Sequence, residues 1–289
     1  MNEDQVEQAD KVPALIADEC PSCGAIREGW YCAVCGERRL KPGDRRLRAL
    51  FAAAFSTVFD ADGRLPRSLA AMLFRPGLLT SEWMNGRRRL WLGPVSLYLL
   101  INLLIFIAPP LTDFNLSLRE QTELQFWSDS AAELVDTRIA ERESDFATEA
   151  DLYGDVSSEV GKLLLIWHVP FLAFAVAIVS GWKRHYAADY LVWSLHQFTV
   201  FLVMISSVAW TVAPLFHWML PREQAIEALA LTWSGLLLVF SVHSIFAAHR
   251  AFCPSRWRSV LFGPVLLVAI GLGHASYRLV QFLVAFALS

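Results

Sequence analysis

Charge is what this chain has least of. Of its 289 residues, 18% are charged and 55% hydrophobic, against about 25% charged in a typical soluble domain. The shortage is uneven. Residues 1–91 hold 14 of the 25 Lys/Arg and 12 of the 28 Asp/Glu, while several later windows of about 20 residues carry none, the signature of membrane spans. The net charge of −3 averages unlike regions and says little about partners. No nucleophile elbow, P-loop, glycine-rich dinucleotide motif or EF-hand spacing occurs, and no helix carries H-x3-H, H-x4-H or E-x-x-H. A catalytic constellation is therefore missing. An apolar leader is missing too: Met1 to Glu19 is acidic and broken by Pro13, so residues 1–19 read as a disordered tail. Cysteine is scarce, at five residues, and four of them form the most specific feature of the chain.

Those four are Cys20, Cys23, Cys32 and Cys35, two C-x2-C pairs trailed by Gly24 and Gly36; Cys253 stands alone. Each pair offers two thiolates from one tight turn, and tetrahedral zinc takes four such ligands. Glycine after each pair permits the positive φ of such turns. The segment Ala25–Tyr31 has room for a small hairpin, with Trp30 and Tyr31 available to cover a metal. Residues 20–40 thus read as a zinc ribbon with structural zinc on all four cysteines. Rubredoxin-type iron and a redox dithiol are the alternatives, although no thioredoxin-like βαβ unit accompanies the pairs.

Residues 41–89 form a connector. Leu47, Leu50, Phe51, Ala54, Phe55, Val58 and Phe59 share one helical face, with Arg45, Arg46 and Arg48 at its start. This reads as an interfacial helix on anionic lipid or against the protein's own spans. Nearby acids dilute the field and argue against nucleic acid. A turn at Asp60–Gly63 precedes a short helix from Pro66 through Arg67–Phe74, stopped by Arg75-Pro76-Gly77. A further helical stretch covers Leu78–Met84, and Arg87–Arg89 follow Asn85-Gly86.

The cysteine pairs, Phe74-Arg75-Pro76-Gly77, Glu82-Trp83-x-x-Gly86-Arg87-Arg88 and Pro94 together resemble an uncharacterised bacterial membrane-protein family, catalogued as a domain of unknown function. Its members join a short four-cysteine zinc ribbon to several spans through an "RPG … GKR … P" connector. This chain has Arg87-Arg88 in place of Lys-Arg. The resemblance covers roughly residues 20–100. It implies architecture and location, and it supplies no active-site residues.

The expected fold class is an all-α membrane protein: a five-helix transmembrane bundle with a small N-terminal zinc ribbon and interfacial helices. Within residues 90–289 the spans are expected at about 90–108, 163–182, 190–215, 228–248 and 259–277, each long enough for about 30 Å of hydrocarbon. Arg87–Arg89, Lys183-Arg184 and Arg250, Arg256 and Arg258 all fall on one side, which the positive-inside rule makes cytoplasmic. The N-terminus is then inside, the C-terminus outside, and the cysteines in a reducing compartment. Trp91, Trp182, Trp193, Trp218 and Trp257 are expected in an aromatic belt. Beyond Arg278, expected to snorkel to the outer interface, either the helix runs on or an interfacial segment follows. Residues 112–160 carry three Arg against thirteen Asp/Glu and read as a solvated outer loop. Helices are expected there at 118–126 and 131–143, with Leu134, Ile139 and Phe146 as a weak apolar stripe.

Four histidines fall within spans: His196 and His243 toward the cytoplasmic end, His168 and His274 toward the outer end. Such groups are either functional or hydrogen-bonded packing groups between helices. Gln197, Ser206-Ser207 and Asn102 read as interhelical contacts. The leading function is a non-enzymatic adaptor or scaffold in the bacterial inner membrane, in contact with the lipid bilayer and docking a protein partner at its cytoplasmic head. The question of homo-oligomerisation is left open. The alternative is a small transporter or channel-like bundle using the histidines; a membrane enzyme ranks last.

Overall fold

A computed structural model of the protein describes residues 17–39, 63–107, 114–182, 184–252 and 255–289. The expected amphipathic helix at Leu47–Phe59 lies outside these residues. So does most of the expected tail, but its last residues are ordered. Asp18–Glu19 forms strand β1, antiparallel to β2 at Ile26–Arg27. The ribbon therefore begins before its first cysteine.

Two short helices follow, α1 (Arg64–Phe74) and α2 (Leu78–Met84). Helix α1 starts two residues ahead of Pro66, whose ring is tolerated in a first turn where no intrahelical N–H bond is lost. Next comes α3 (Pro94–Ile107). It is apolar, but its 14 residues extend only about 21 Å. The count of five full spans is not reached among the described residues. Four helical stretches are long and apolar enough to cross a membrane, so the chain is a multi-pass helical membrane protein.

The first of the four starts well ahead of its expected position. Helix α6 (Phe146–Leu164) leads through a 3₁₀ turn at Leu165–Trp167 into α7 (His168–Ser180). Pro170 explains the turn, because it cannot donate to the carbonyl four residues back. Helix α8 (Ala187–Ser207) then continues through a π turn at Val208–Val212 into α9 (Ala213–Met219), which opens on Pro214. The last two are α10 (Arg222–Phe252) and α11 (Arg256–Leu288). Helix α11 runs on past Arg278, which resolves the two readings of its end in favour of continuation. Its 33 residues and the 35 residues of α6–α7 each extend about 50 Å, some 20 Å more than the hydrocarbon layer requires.

That surplus length carries a second folded layer. Helices α4 (Leu118–Glu123) and α5 (Ser128–Arg142) pack on the N-terminal part of α6 and the C-terminal part of α11. Leu118, Ala131, Val135, Tyr153, Phe282 and Phe286 form its core. The acidic segment is thus a packed lobe rather than a loop. Ile139 and Phe146 pack on it as expected, whereas Leu134 is exposed and Val135 takes the inward position. Arg138 stacks over the Phe286 ring and donates to the Phe286 carbonyl, close to the C-terminal end of α11, where a cation suits the helix dipole.

Helix α8 is the centre of the main bundle, buried almost continuously from Ala188 to Val200. Trp193 lies within it, fully buried with its ring 5.4 Å from Phe262, and so leaves the expected aromatic belt. Trp182, Trp218 and Trp257 are exposed. Leu99, Leu103, Phe174, Leu238, Phe246 and Leu272 also face outward, a girdle that lipid covers.

Candidate metal centre and buried histidines

The head is built twice over from one local design. Cys20 N donates to the Ala25 carbonyl at 2.8 Å and Gly24 N to the Cys20 carbonyl at 2.8 Å. Twelve residues on, Cys32 N donates to the Glu37 carbonyl at 2.9 Å and Gly36 N to the Cys32 carbonyl at 2.8 Å. Gly24 and Gly36 both have φ 74°, as the sequence pattern requires. The β1–β2 pair Glu19↔Ile26 has its counterpart in the bridge Tyr31↔Arg38. This twofold repeat turns four cysteines toward one point. Cys20 Sγ lies 3.5 Å from Cys35 Sγ, and Cys23 Sγ 3.6 Å from Cys32 Sγ. All four sulfurs fall within 4.8 Å of one another. A Zn–S bond of about 2.3 Å implies a tetrahedron edge of about 3.8 Å, so the cluster fits a metal ion of that size.

The electrostatics agree. Backbone N–H bonds from Cys35 first, and Val34 next, help draw the Cys32 thiol down to about 6. Cys35 accepts a lowering hydrogen bond from the Glu37 amide, yet burial and the neighbouring thiols push it up to about 12. Four sulfurs this close cannot all ionise unless a cation neutralises them. The expected covering role of Tyr31 is not seen, since its side chain is exposed.

Several supports were hidden in the sequence. Arg27 donates to Asp18 at 3.1 and 2.6 Å, and this ion pair, with Arg39 close by, holds the Asp18 carboxyl below its usual range. Glu37 is buried. Its Oε2 accepts from Ser22 Oγ at 2.7 Å and from the Arg89 amide at 3.0 Å. One carboxylate therefore ties the two knuckles together and fastens the head to the connector.

The connector in turn is fastened to the bundle by histidines. His196 Nδ1 meets Thr80 Oγ1 at 2.9 Å. His243 Nε2 donates to the Met72 carbonyl at 3.0 Å, and its Nδ1 lies 3.1 Å from the Gln197 side-chain amide, whose Oε1 accepts from Ser244 Oγ at 3.1 Å. His196 and His243 thus serve separate contacts, with α2 and α1 respectively. Gln197 is interhelical as expected, whereas Ser207 bonds within its own helix to Val203.

His168 and His274 do meet, Nε2 to Nδ1 at 3.4 Å. His168 Nδ1 lies 3.1 Å from the Leu165 carbonyl, which can only accept, so that nitrogen carries the proton and Nε2 accepts. Phe114, Phe198 and Tyr277 surround the pair. Beside it is a cavity of about 10 Å³ walled by Leu172, Phe198, Phe201, Phe240, Ala269 and Ile270, room for one water at most.

The bundle's two ends differ. At one, Gly36 approaches Arg89, and Gly181 approaches both Arg184 and Arg258. The acidic lobe occupies the other, where α11 ends.

Residues 62–106 match a family described as "Protein of unknown function (DUF3667)". The match takes in the connector from α1 onward, the turn at Trp91 and most of α3, and the cysteine ribbon lies outside it. No curated protein and no solved structure matches the chain.

Proposed function

We propose that this chain is a non-enzymatic membrane adaptor whose head binds structural zinc through Cys20, Cys23, Cys32 and Cys35 and docks a protein partner. The observation that carries this reading is the closed sulfur cluster. Four mutually adjacent thiolates fill a tetrahedral shell and leave no position for substrate or water. A head of this size has little core of its own, so the metal supplies its folding energy. Ile26, Tyr31 and Val34 stand out from its surface at 62%, 64% and 75% exposure, and exposed apolar groups of this kind suit a protein contact. The Arg-rich end of the bundle, with the head upon it, faces the cytoplasm by the positive-inside rule. The acidic lobe and the C-terminus face outward, and the family resemblance suggests a bacterial inner membrane.

Two measurements test this. Elemental analysis of the purified full chain is expected to give one zinc per chain, against iron for a rubredoxin-like site. Crosslinked pulldown should then recover a partner with the full chain and lose it when residues 1–40 are removed. Indistinguishable pulldowns would sink the adaptor.

The contact between His168 and His274 favours a second reading, a proton- or cation-conducting bundle. Its aromatic surroundings and the tiny apolar cavity weigh against a pathway. Reconstituted flux assays with His168→Ala and His274→Ala discriminate, since conduction through these groups would fall in the variants.

A further inference from the structure

Helix α1 presents Arg67, Ala70, Ala71 and Phe74 at positions i, i+3, i+4 and i+7, which places them on one face; Arg75 follows. Across from this face stands Trp91, in the turn before α3. The turn is pinned there because the Leu92 amide donates to Ser68 Oγ of α1 at 3.0 Å. Between the two lies a cleft of about 360 Å³ lined by Arg67, Ala70, Ala71, Phe74, Arg75 and Trp91. That volume falls in the range of small-molecule sites.

The chemistry of the walls is divided. The floor is alanine and aromatic carbon, and Phe74 is 81% exposed. Both arginines are exposed, and no acid among the described residues lines the cleft. Neither side chain forms an ion pair or hydrogen bond among the described residues. The connector's Glu82 is already engaged by Arg87. Trp91 adds an indole Nε1 that is buried with no hydrogen-bond partner among the described residues, a donor that costs free energy while it lacks an acceptor. Below Trp91, α3 turns Leu99, Leu103 and Leu104 outward. The cleft thus sets two guanidiniums, unpaired among the described residues, beside an apolar floor, on a chain whose next helix also exposes leucines.

We propose that this cleft binds an anionic phospholipid: Arg67 and Arg75 take the headgroup phosphate, Trp91 Nε1 donates to a headgroup or ester oxygen, and an acyl chain follows Phe74 onto the α3 leucines. Guanidinium groups suit phosphate because their planar donors match its oxygens. The apolar floor selects a lipid over a free anion, since a phosphate ion would leave Phe74 and Trp91 uncovered. Lipid at this place would stabilise the Arg75-Pro76-Gly77 turn, which lies at the same edge.

The test uses the full chain in neutral detergent, with native mass spectrometry to count retained lipid. The probes are dioleoyl phosphatidylglycerol, dioleoyl phosphatidylcholine and inorganic phosphate. Saturable retention of phosphatidylglycerol is expected, with at least tenfold weaker binding in the Arg67→Gln/Arg75→Gln double variant and a smaller loss in Trp91→Phe. Arg67→Lys/Arg75→Lys should recover part of the binding, and Arg119→Gln, at the opposite end, should change nothing. Both arginines are exposed, so melting temperatures in the absence of lipid should match the wild type. Equal retention of both lipids, equal retention by the double glutamine variant, or displacement of phosphatidylglycerol by millimolar phosphate would each overturn the proposal.

Discussion

Gly77 lies directly against the backbone of Ala247. A Cβ on Gly77 would overlap the Ala247 carbonyl oxygen and come within 2.9 Å of its Cα. Gly77 also has φ 74°, a left-handed conformation. The turn after Arg75-Pro76 therefore seats backbone to backbone on α10, and two independent constraints require glycine there.

Gly77→Ala should be among the most damaging substitutions in the connector. The left-handed backbone costs about 1–2 kcal/mol for an L-residue, and overpacking against rigid backbone adds about 1–3 kcal/mol. A combined loss of ~2–5 kcal/mol is expected, visible as a lowered melting temperature in detergent. An unchanged melting temperature would mean that α2 does not seat on α10 in this way.

The metal centre carries a pH dependence of known sign. The Cys32 thiol falls from 9.0 to about 6 in the folded head. A depressed value means that its contribution is fully present above the unfolded value of 9.0 and is lost as pH falls through about 6. Protons then compete for the ligands. The metal is expected to be retained at neutral pH and lost on acidification, as protons displace it from its thiolates, read by a chromogenic chelator. Cys20→Ser should lose the metal at neutral pH and unfold the head.

Glu37 should control how firmly the head sits. Glu37→Ala removes the acceptor for Ser22 and for the Arg89 amide while leaving all four thiolates in place. The variant is expected to keep its metal and to show faster hydrogen exchange across residues 17–39. Unchanged exchange would assign the docking to other contacts.

The histidines should behave as packing groups. Thr80→Val conserves shape but leaves His196 Nδ1 without its partner in a buried site, at about 1–3 kcal/mol. A lowered melting temperature with unchanged ion flux in liposomes is expected for this variant and for His243→Ala.

The features legible in the sequence are those encoded over short distances. Paired cysteines with trailing glycines announce their turns, and charge-free windows announce the long helices. Leu78–Met84 reads directly because Gly77 and Asn85 bound it. What could not be read depends on partners far along the chain. Glu37 looks like one more surface acid until Arg89, 52 residues later, meets it. The acidic lobe looks like a loop because Val135 and Tyr153 make too weak a stripe alone; Phe282 and Phe286 complete their core. Depth along a helix placed His196 and His243 at one level, but rotation about the helix axis decides contact, and apolar composition does not encode it. Trp193 shows the same limit: a tryptophan near a span end faces lipid or core according to an angle that spacing alone leaves undetermined.

The central claim is that the head exists to contact a protein. Its most direct test is a photocrosslinking residue at Val34, which is 75% exposed on the head, activated in intact cells with the full-length chain. A discrete protein adduct is expected, lost when Cys20→Ser removes the metal and absent when the same crosslinker replaces Leu231 on the lipid-facing side of α10. Adducts with lipid alone, or a protein adduct that persists in the Cys20→Ser variant, would contradict a folded zinc head built for docking.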